Sequence, residues 1–257
     1  MSDATITKRH DTPLAFTDED MNYYLLWALS YQSEHGSEVG ECLRIASQID
    51  EKDVGSWVDA WRDFADRLLA YGTGADAQGH RISAREAYLR AYTYYRTATV
   101  FIRISDPLFR RTWKQAVDAF RRAIALLPQK IESVTVPFDQ FQLPAYFYPG
   151  GKNAERRPTL IMTIGGEAFA EDSYFWCGAA GMRRGYNVLA ADLLPHVGAR
   201  FHNGKIPMEK MTVEWGIDRA LESVVDYALS RSDVDPERLA IVGYSACLLY
   251  TSPSPRD

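Results

Sequence analysis

Three short apolar runs, at 159–164, 187–191 and 239–242, constrain this chain more than anything else in it. They are rich in Ile, Val, Leu and Ala and carry no charge, so neither face of a strand built from them suits water. Helical patterns separate them. Residues 172–184 form one, stopped by Gly185 at a position suited to a left-handed cap. Val213, Ile217, Ala220, Leu221, Val224 and Ala228 mark the other. Strand, helix, strand, helix, strand in this order calls for right-handed crossovers and a parallel sheet. Just upstream, 131–137 and 143–148 alternate with period two around a turn at 138–142, an antiparallel pair for the sheet's edge.

Everything from 17 to 129 reads as helix. Met21, Tyr24, Leu25, Ala28 and Leu29 form one stripe, with Thr17 and Asp20 placed as a capping box. Val39, Cys42, Leu43, Ala46 and Ile49 form a second, and Trp57, Trp61, Phe64, Ala65 and Leu68 a third. Ser83 and Glu86 are placed to cap a fourth helix with Ala84, Ala87, Ala91 and Ala98 inward. Asp106-Pro107 supplies an N-cap and first-turn proline for a fifth, which Pro128 ends. The 115–128 segment resembles one helix of a tetratricopeptide unit, but no second copy recurs at a fixed period, so a helical bundle is expected rather than a solenoid.

Charge and composition exclude several classes. A net charge of −5 gives no electrostatic reason to expect nucleic acid or an anionic membrane as partner. No run approaches the roughly 20 apolar residues of a membrane span, and the polar 1–16 segment lacks the core of a secretory signal. The three cysteines, Cys42, Cys177 and Cys247, form no CxxC pair, so neither a disulfide framework nor a metal site is expected. No cofactor is expected either. A cytoplasmic protein follows, and a homodimer is compatible with the sequence.

The chemistry concentrates where the last run ends, at Gly243-Tyr244-Ser245-Ala246. A sharp strand-to-helix turn of this form lifts a serine hydroxyl above the sheet and demands small flanking residues. A plain βα turn can also hold Gly and Ser; the preceding βαβα order favours the nucleophile. Ser245 is the candidate nucleophile, and Ala246 contributes a candidate oxyanion-hole amide. Gly165-Gly166-Glu167 directly follows another buried strand, where Gly166 or Glu167 is the candidate for the second amide. The alternatives are an exit turn or a phosphate-cradling loop, but no Gly-x-Gly-x-x-Gly and no following Lys-Ser/Thr support the latter. Glu167, Glu171 and Asp172 could serve as acid–base groups but read better as helix caps, Asp192 could contact substrate but reads better as the start of an Asx turn, and His196 and His202 read as residues outside the catalytic set.

Taken together, 79–91 (GHRISAREAYLRA), Tyr94-Tyr95-Arg96, Gly165-Gly166-Glu167 with Glu171-Asp172, 183–189 (RRGYNVL) and the serine turn resemble α/β-hydrolases that carry a helical N-terminal domain. That group includes the 2,6-dihydroxypseudooxynicotine hydrolase, Ayg1-type polyketide-shortening hydrolases and FrsA-like esterases. The likeness covers about residues 20 to 246. It implies an α/β fold with a mostly parallel sheet, a helical cap over the site, and a Ser-Asp-His triad. The substrate it implies is a small carbonyl compound, cleaved at an ester or at the C–C bond of a β-diketone. The loop at 192–198 (DLLPHVG) departs from the Asp-Leu-Pro-Gly-x-Gly form of the group, so substrate identity does not carry over.

The tail breaks the pattern. Leu248 stands where the serine turn needs its second glycine, and 247–257 (CLLYTSPSPRD) back-translates without a gap to a string resembling a transposase-type sequencing adapter. The expected organisation is a flexible 1–16, a helical cap domain at 17–129, the first half of a hydrolase domain at 130–246, and a non-native tail at 247–257. On that reading the triad Asp and His are missing, this chain is inactive, and its last strand exposes an edge that invites aggregation. A different class, a non-catalytic helical interaction module with a degenerate α/β domain, predicts instead that no such Asp and His exist downstream.

Overall fold

The computed structural model describes residues 14–152, 155–194, 196–204 and 217–245. The chain divides into two compact units that meet between Leu127 and Pro128.

The first unit is helical: α1 (Glu19–Ser30), α2 (Val39–Ala46), α3 (Val54–Ala77), α4 (Arg81–Ala98) and α5 (Pro107–Ala125). Its core is aromatic, with Trp57, Trp61, Tyr88, Tyr92, Tyr94, Tyr95 and Phe120 all but fully buried. Several of these rings pair their polar tips: Trp57 Nε1 donates to the Thr97 carbonyl and Tyr94 Oη to Glu41. Helix starts follow the chain's short polar side chains. Asp106 accepts from the Leu108 amide ahead of Pro107, as expected from the sequence. Two expected caps shift. At α1 the cap is Asp18, which accepts from the Met21 amide, while Thr17 donates to Glu51. At α4 the helix starts at Arg81 with His80 before it, so Ser83 and Glu86 lie inside the first turns. The chain reverses at Gly79, whose φ of +78° lets α4 begin earlier than the Ser/Glu spacing suggests.

The second unit holds β1 (Glu132–Phe138), β2 (Phe141–Tyr148), β3 (Arg157–Thr163), α6 (Ala179–Arg183), β4 (Asn187–Ala191), α7 (Val197–His202), α8 (Ile217–Ser230) and β5 (Val234–Gly243). The sheet order is β1-β2-β4-β3-β5. β1 and β2 pair antiparallel, β2 joins β4 antiparallel, and β3 lies parallel to both β4 and β5. This is the mixed sheet expected from the sequence: an antiparallel edge pair on a parallel core. Every residue of β4 is buried, which is why its sequence carries no alternation. One face packs Val136, Phe147, Ile161 and Leu189 against Ala220, Leu221, Val224 and Ala228 of α8.

Two elements differ from the sequence reading. The single helix expected at 172–184 is a 3-10 turn at Ala170–Asp172, a π turn at Tyr174–Gly178, and then the short α6. Gly178 lies under the Tyr148 ring, where an added Cβ would stand 2.9 Å from ring carbon, so β2 presses directly on the widened turn. Gly185 ends the segment at φ +80°, as expected. β5 begins at Val234 rather than 239, because Val234 pairs with Arg157 across a register shift that absorbs the intervening polar residues. Val213 and the tail 247–257 lie outside the described residues.

Candidate functional site

Strand register builds the site. β3 and β5 pair in parallel with Thr163 opposite Gly243, and β3 and β4 pair with Thr163 opposite Ala191. Three chain segments therefore leave the sheet at one level: Ile164-Gly165 after β3, Asp192 after β4, and Tyr244-Ser245 after β5. The C-terminal edge of parallel strands is where an α/β sheet places its ligands.

Ser245 has φ of +57°. A side-chain-bearing residue in that region stores on the order of 1–3 kcal/mol of strain and holds it only where its surroundings fix it. The Tyr244 amide donates to the Thr163 carbonyl at 3.1 Å, and the Tyr244 ring stacks on Trp176 with centroids 4.2 Å apart. Across from Ser245 is Gly165. A Cβ added there would lie 2.8 Å from Ser245 Cβ and 3.4 Å from its Oγ, so only glycine lets the two turns come this close. The Ala168 amide closes the 165–168 turn onto the Gly165 carbonyl, with Gly166 and Glu167 at its exposed centre. Of the four expected site residues, Ser245, Gly166 and Glu167 thus lie on adjacent turns, and Ala246 lies outside the described residues.

Behind the 165–168 turn is a group of buried polar side chains. Glu171 accepts from Tyr146 Oη at 2.8 Å, and Asp172 caps the 3-10 turn by accepting from the Phe169 amide at 2.9 Å. Capping was the role expected for both; Asp172 fills it, whereas Glu171 pairs with a tyrosine. Asp192 departs from its expected Asx turn: it is 2% exposed, and its Oδ2 lies against the backbone of α7, where a Cβ at Gly198 would stand 1.8 Å away. Burial, reinforced by the nearby charges of Glu171 and Asp172, holds its carboxyl well above the usual aspartate range. His196 is buried too, and burial pushes it down to about 4. Its Nδ1 accepts the Leu193 amide at 2.9 Å, so the ring is neutral, and the 3.9 Å to Asp192 Oδ1 is a contact rather than an ion pair. Among the described residues no three of His, Cys, Asp or Glu are grouped to hold a metal ion, and no helix is long and apolar enough to cross a membrane.

Sequence reasoning missed Asp192 and His196 as part of the site's framework. The signal that could have found them is register: both belong to the segment leaving β4, the strand beside β3.

No family model matches the chain. Among solved structures it resembles the 2,6-dihydroxy-pseudo-oxynicotine hydrolase, with a TM-score of 0.69 at 18% identity over 86% of this chain and 59% of that one. The chain has the α/β-hydrolase fold. A second structure with the same likeness is AbyA5 (TM-score 0.55, 19% identity, 89% of this chain and 56% of that one). Curated relatives are named hydrolases. The 20-hydroxy-prefusarin hydrolase FUS2 of Gibberella moniliformis is 33% identical over 90% of this chain and 56% of its own length. The hydrolyase poxO of Penicillium oxalicum is 30% identical over 90% and 56%, and the alpha/beta hydrolase gkaG of Penicillium citrinum 29% over 86% and 53%. The chain thus spans just over half the length of these relatives.

Proposed function

We propose that Ser245 is the nucleophile of a hydrolase that cleaves an ester, or a C–C bond next to a carbonyl, in a small molecule. The observation that carries this reading is the strained φ of Ser245 at the end of β5, with Gly165 against its side chain. Ser245 Oγ attacks the carbonyl carbon, and its proton passes to a histidine base. The amide of Ala246, with that of Gly166 or Glu167, holds the oxyanion. When the tetrahedral adduct collapses, the bond to the leaving group breaks. The proton from the histidine goes to the departing alkoxide, or to the departing enolate carbon in the C–C case. Water then attacks the acyl-serine, giving one proton to the histidine, which passes it to Ser245 Oγ as the acyl–oxygen bond breaks and the carboxylic acid leaves. The histidine and its aspartate are proposed to lie beyond residue 246 in a longer parent protein, consistent with the share of the relatives that this chain spans.

The test is fluorophosphonate labelling of the parent protein, recovered by re-amplifying its gene past codon 246. Covalent modification at Ser245, abolished in Ser245→Ala, is the expected result. A parent protein that hydrolyses nitrophenyl esters equally well with and without Ser245 overturns the reading.

A further inference from the structure

Two tyrosines of β2 tie the segment beside Ser245 to the sheet, and the proposed chemistry uses neither. Side chains alternate along a strand. Ala145 and Phe147 enter the core shared with α8, so Tyr146 and Tyr148 leave β2 on the opposite face. Both are buried, and each reaches a different residue of the segment that follows Gly165. Tyr146 Oη donates to Glu171 Oε1 at 2.8 Å. Tyr148 Oη lies 2.9 Å from Ser173 Oγ. The single hydroxyl proton of Ser173 goes to the Ala170 carbonyl, so the tyrosine is the donor in this pair too.

The two anchored residues flank Asp172, whose Oδ2 accepts from the Phe169 amide while its own amide donates to the Phe169 carbonyl. Next to Phe169, the Ala168 amide donates to the carbonyl of Gly165, the residue pressed against Ser245. A run of hydrogen bonds therefore leads from the β2 hydroxyls to the turn that carries Gly166 and Glu167. In the other direction the Tyr148 ring rests on Gly178, at the end of the π turn, and Trp176 of that turn stacks on Tyr244. The segment is thus held to β2 at 171, 173 and 178, and it meets the serine turn at 165 and 176. Filling space here needs only the rings, and a buried hydroxyl is costly unless it is paired. We infer that Tyr146 and Tyr148 are positioning residues, whose hydroxyls fix from β2 where the 165–173 segment presents its backbone amides to Ser245. The consequence for catalysis rests on the reading of Ser245 as nucleophile; the ordering of the segment does not.

Amide hydrogen exchange in this chain tests the ordering. The amides of Ala168, Phe169 and Asp172 report the segment, and those of Val188, Leu189 and Ala190 in β4 report opening of the whole unit. Tyr146→Phe is expected to cost the segment about ten-fold in protection and Tyr148→Phe about three-fold, with β4 changed less than two-fold; both variants keep the ring, and each loses one buried hydrogen bond. Glu171→Gln, which keeps an oxygen to accept from Tyr146, should stay within about three-fold of the native chain, whereas Glu171→Leu should lose as Tyr146→Phe does. The double variant Tyr146→Phe/Glu171→Leu should lose no more than the worse of its two parents. Native protection of the segment in both tyrosine variants would overturn the inference, as would equal losses in the segment and β4, equal losses in the Gln and Leu variants, or losses that add in the double variant. In the parent protein, the limiting rate of fluorophosphonate labelling at saturating probe should fall about ten-fold or more in Tyr146→Phe, with the half-saturating concentration unchanged, at a temperature well below its melt. A native limiting rate there would overturn the link to Ser245. A native parent protein that does not label removes the nucleophile reading, while the exchange results still judge the tyrosines.

Discussion

Gly165→Ala is the most direct probe of how the two turns fit. The added Cβ would stand 2.8 Å from Ser245 Cβ, 3.4 Å from its Oγ and 3.5 Å from Tyr244 Cδ1. Carbon atoms in good contact sit about 3.5–4.0 Å apart, so the turns must separate by roughly 0.7–1.2 Å. Neither can yield cheaply. Tyr244 is tied to Thr163 by a main-chain bond and stacked on Trp176, and the 165–168 turn is closed by its own hydrogen bond. The φ of Gly165 is not in the left-handed region, so the backbone accepts alanine and the whole effect is steric. Overpacking of this kind costs about 1–3 kcal/mol of stability. On the proposed mechanism, a displacement near 1 Å between Ser245 and the amides of the 165–168 turn costs about 100-fold in reaction rate. The assay is the second-order rate of fluorophosphonate labelling of the parent protein beside a thermal melt. Gly166→Ala is the steric comparison, because a Cβ there meets no atom within 4 Å. Gly165→Ala should lose far more labelling than Gly166→Ala. Wild-type labelling in Gly165→Ala, or equal damage in the two, would refute the claim that this contact sets the site.

Three further outcomes are expected. Ser245→Gly should be more stable than Ser245→Ala by about 0.5–2 kcal/mol, because relief of positive-φ strain outweighs the extra flexibility of glycine; chemical denaturation compares them, and equal stabilities would deny the strain. Arg231 forks to Glu132 Oε2 at 3.0 Å and Asp233 Oδ2 at 2.8 Å and lies 3.6 Å from the Phe147 ring centre, so Arg231→Met should cost about 1–3 kcal/mol. The guanidinium holds Asp233 below the usual aspartate range, so this stabilisation is present above about pH 4 and lost as pH falls through the lowered value; a stability gap unchanged at pH 3 would contradict it. Burial pushes the Cys42 thiol up to about 12, so iodoacetamide at pH 8 should leave it unmodified until the helical unit opens; mapping by mass spectrometry checks this.

The strands were legible because burial on both faces leaves a continuous apolar run, and β3 and β4 begin and end within about two residues of those runs. β5 was read short because its first residues, Asp235-Pro236-Glu237-Arg238, carry polar side chains on a stretch that pairs only at Val234 before the register shift. The helix caps failed differently. Thr17, Asp18 and Asp20 are all chemically able to cap α1, and the choice of Asp18 depends on Thr17 finding Glu51, 34 residues away. The break within 172–184 was invisible for the same reason: it depends on where Tyr148 of β2 presses on Gly178.

The serine turn and the glycine turn could be placed together from the sequence because each follows an apolar strand run by two residues, although β5, at the sheet edge, is largely exposed rather than buried as its sequence suggested. Parallel register does the rest: Thr163 opposite Gly243 carries 165 to 245. The same rule, applied to β4, brings Asp192 level with Ile164, and this step is the one composition could not suggest. An aspartate after a strand usually faces water and starts a loop. Here the strand that precedes it is central in the sheet, between β2 and β3, so the residue that leaves it is enclosed before the chain reaches the surface. Burying an acid there lowers stability as pH rises, and an apolar residue would avoid that loss.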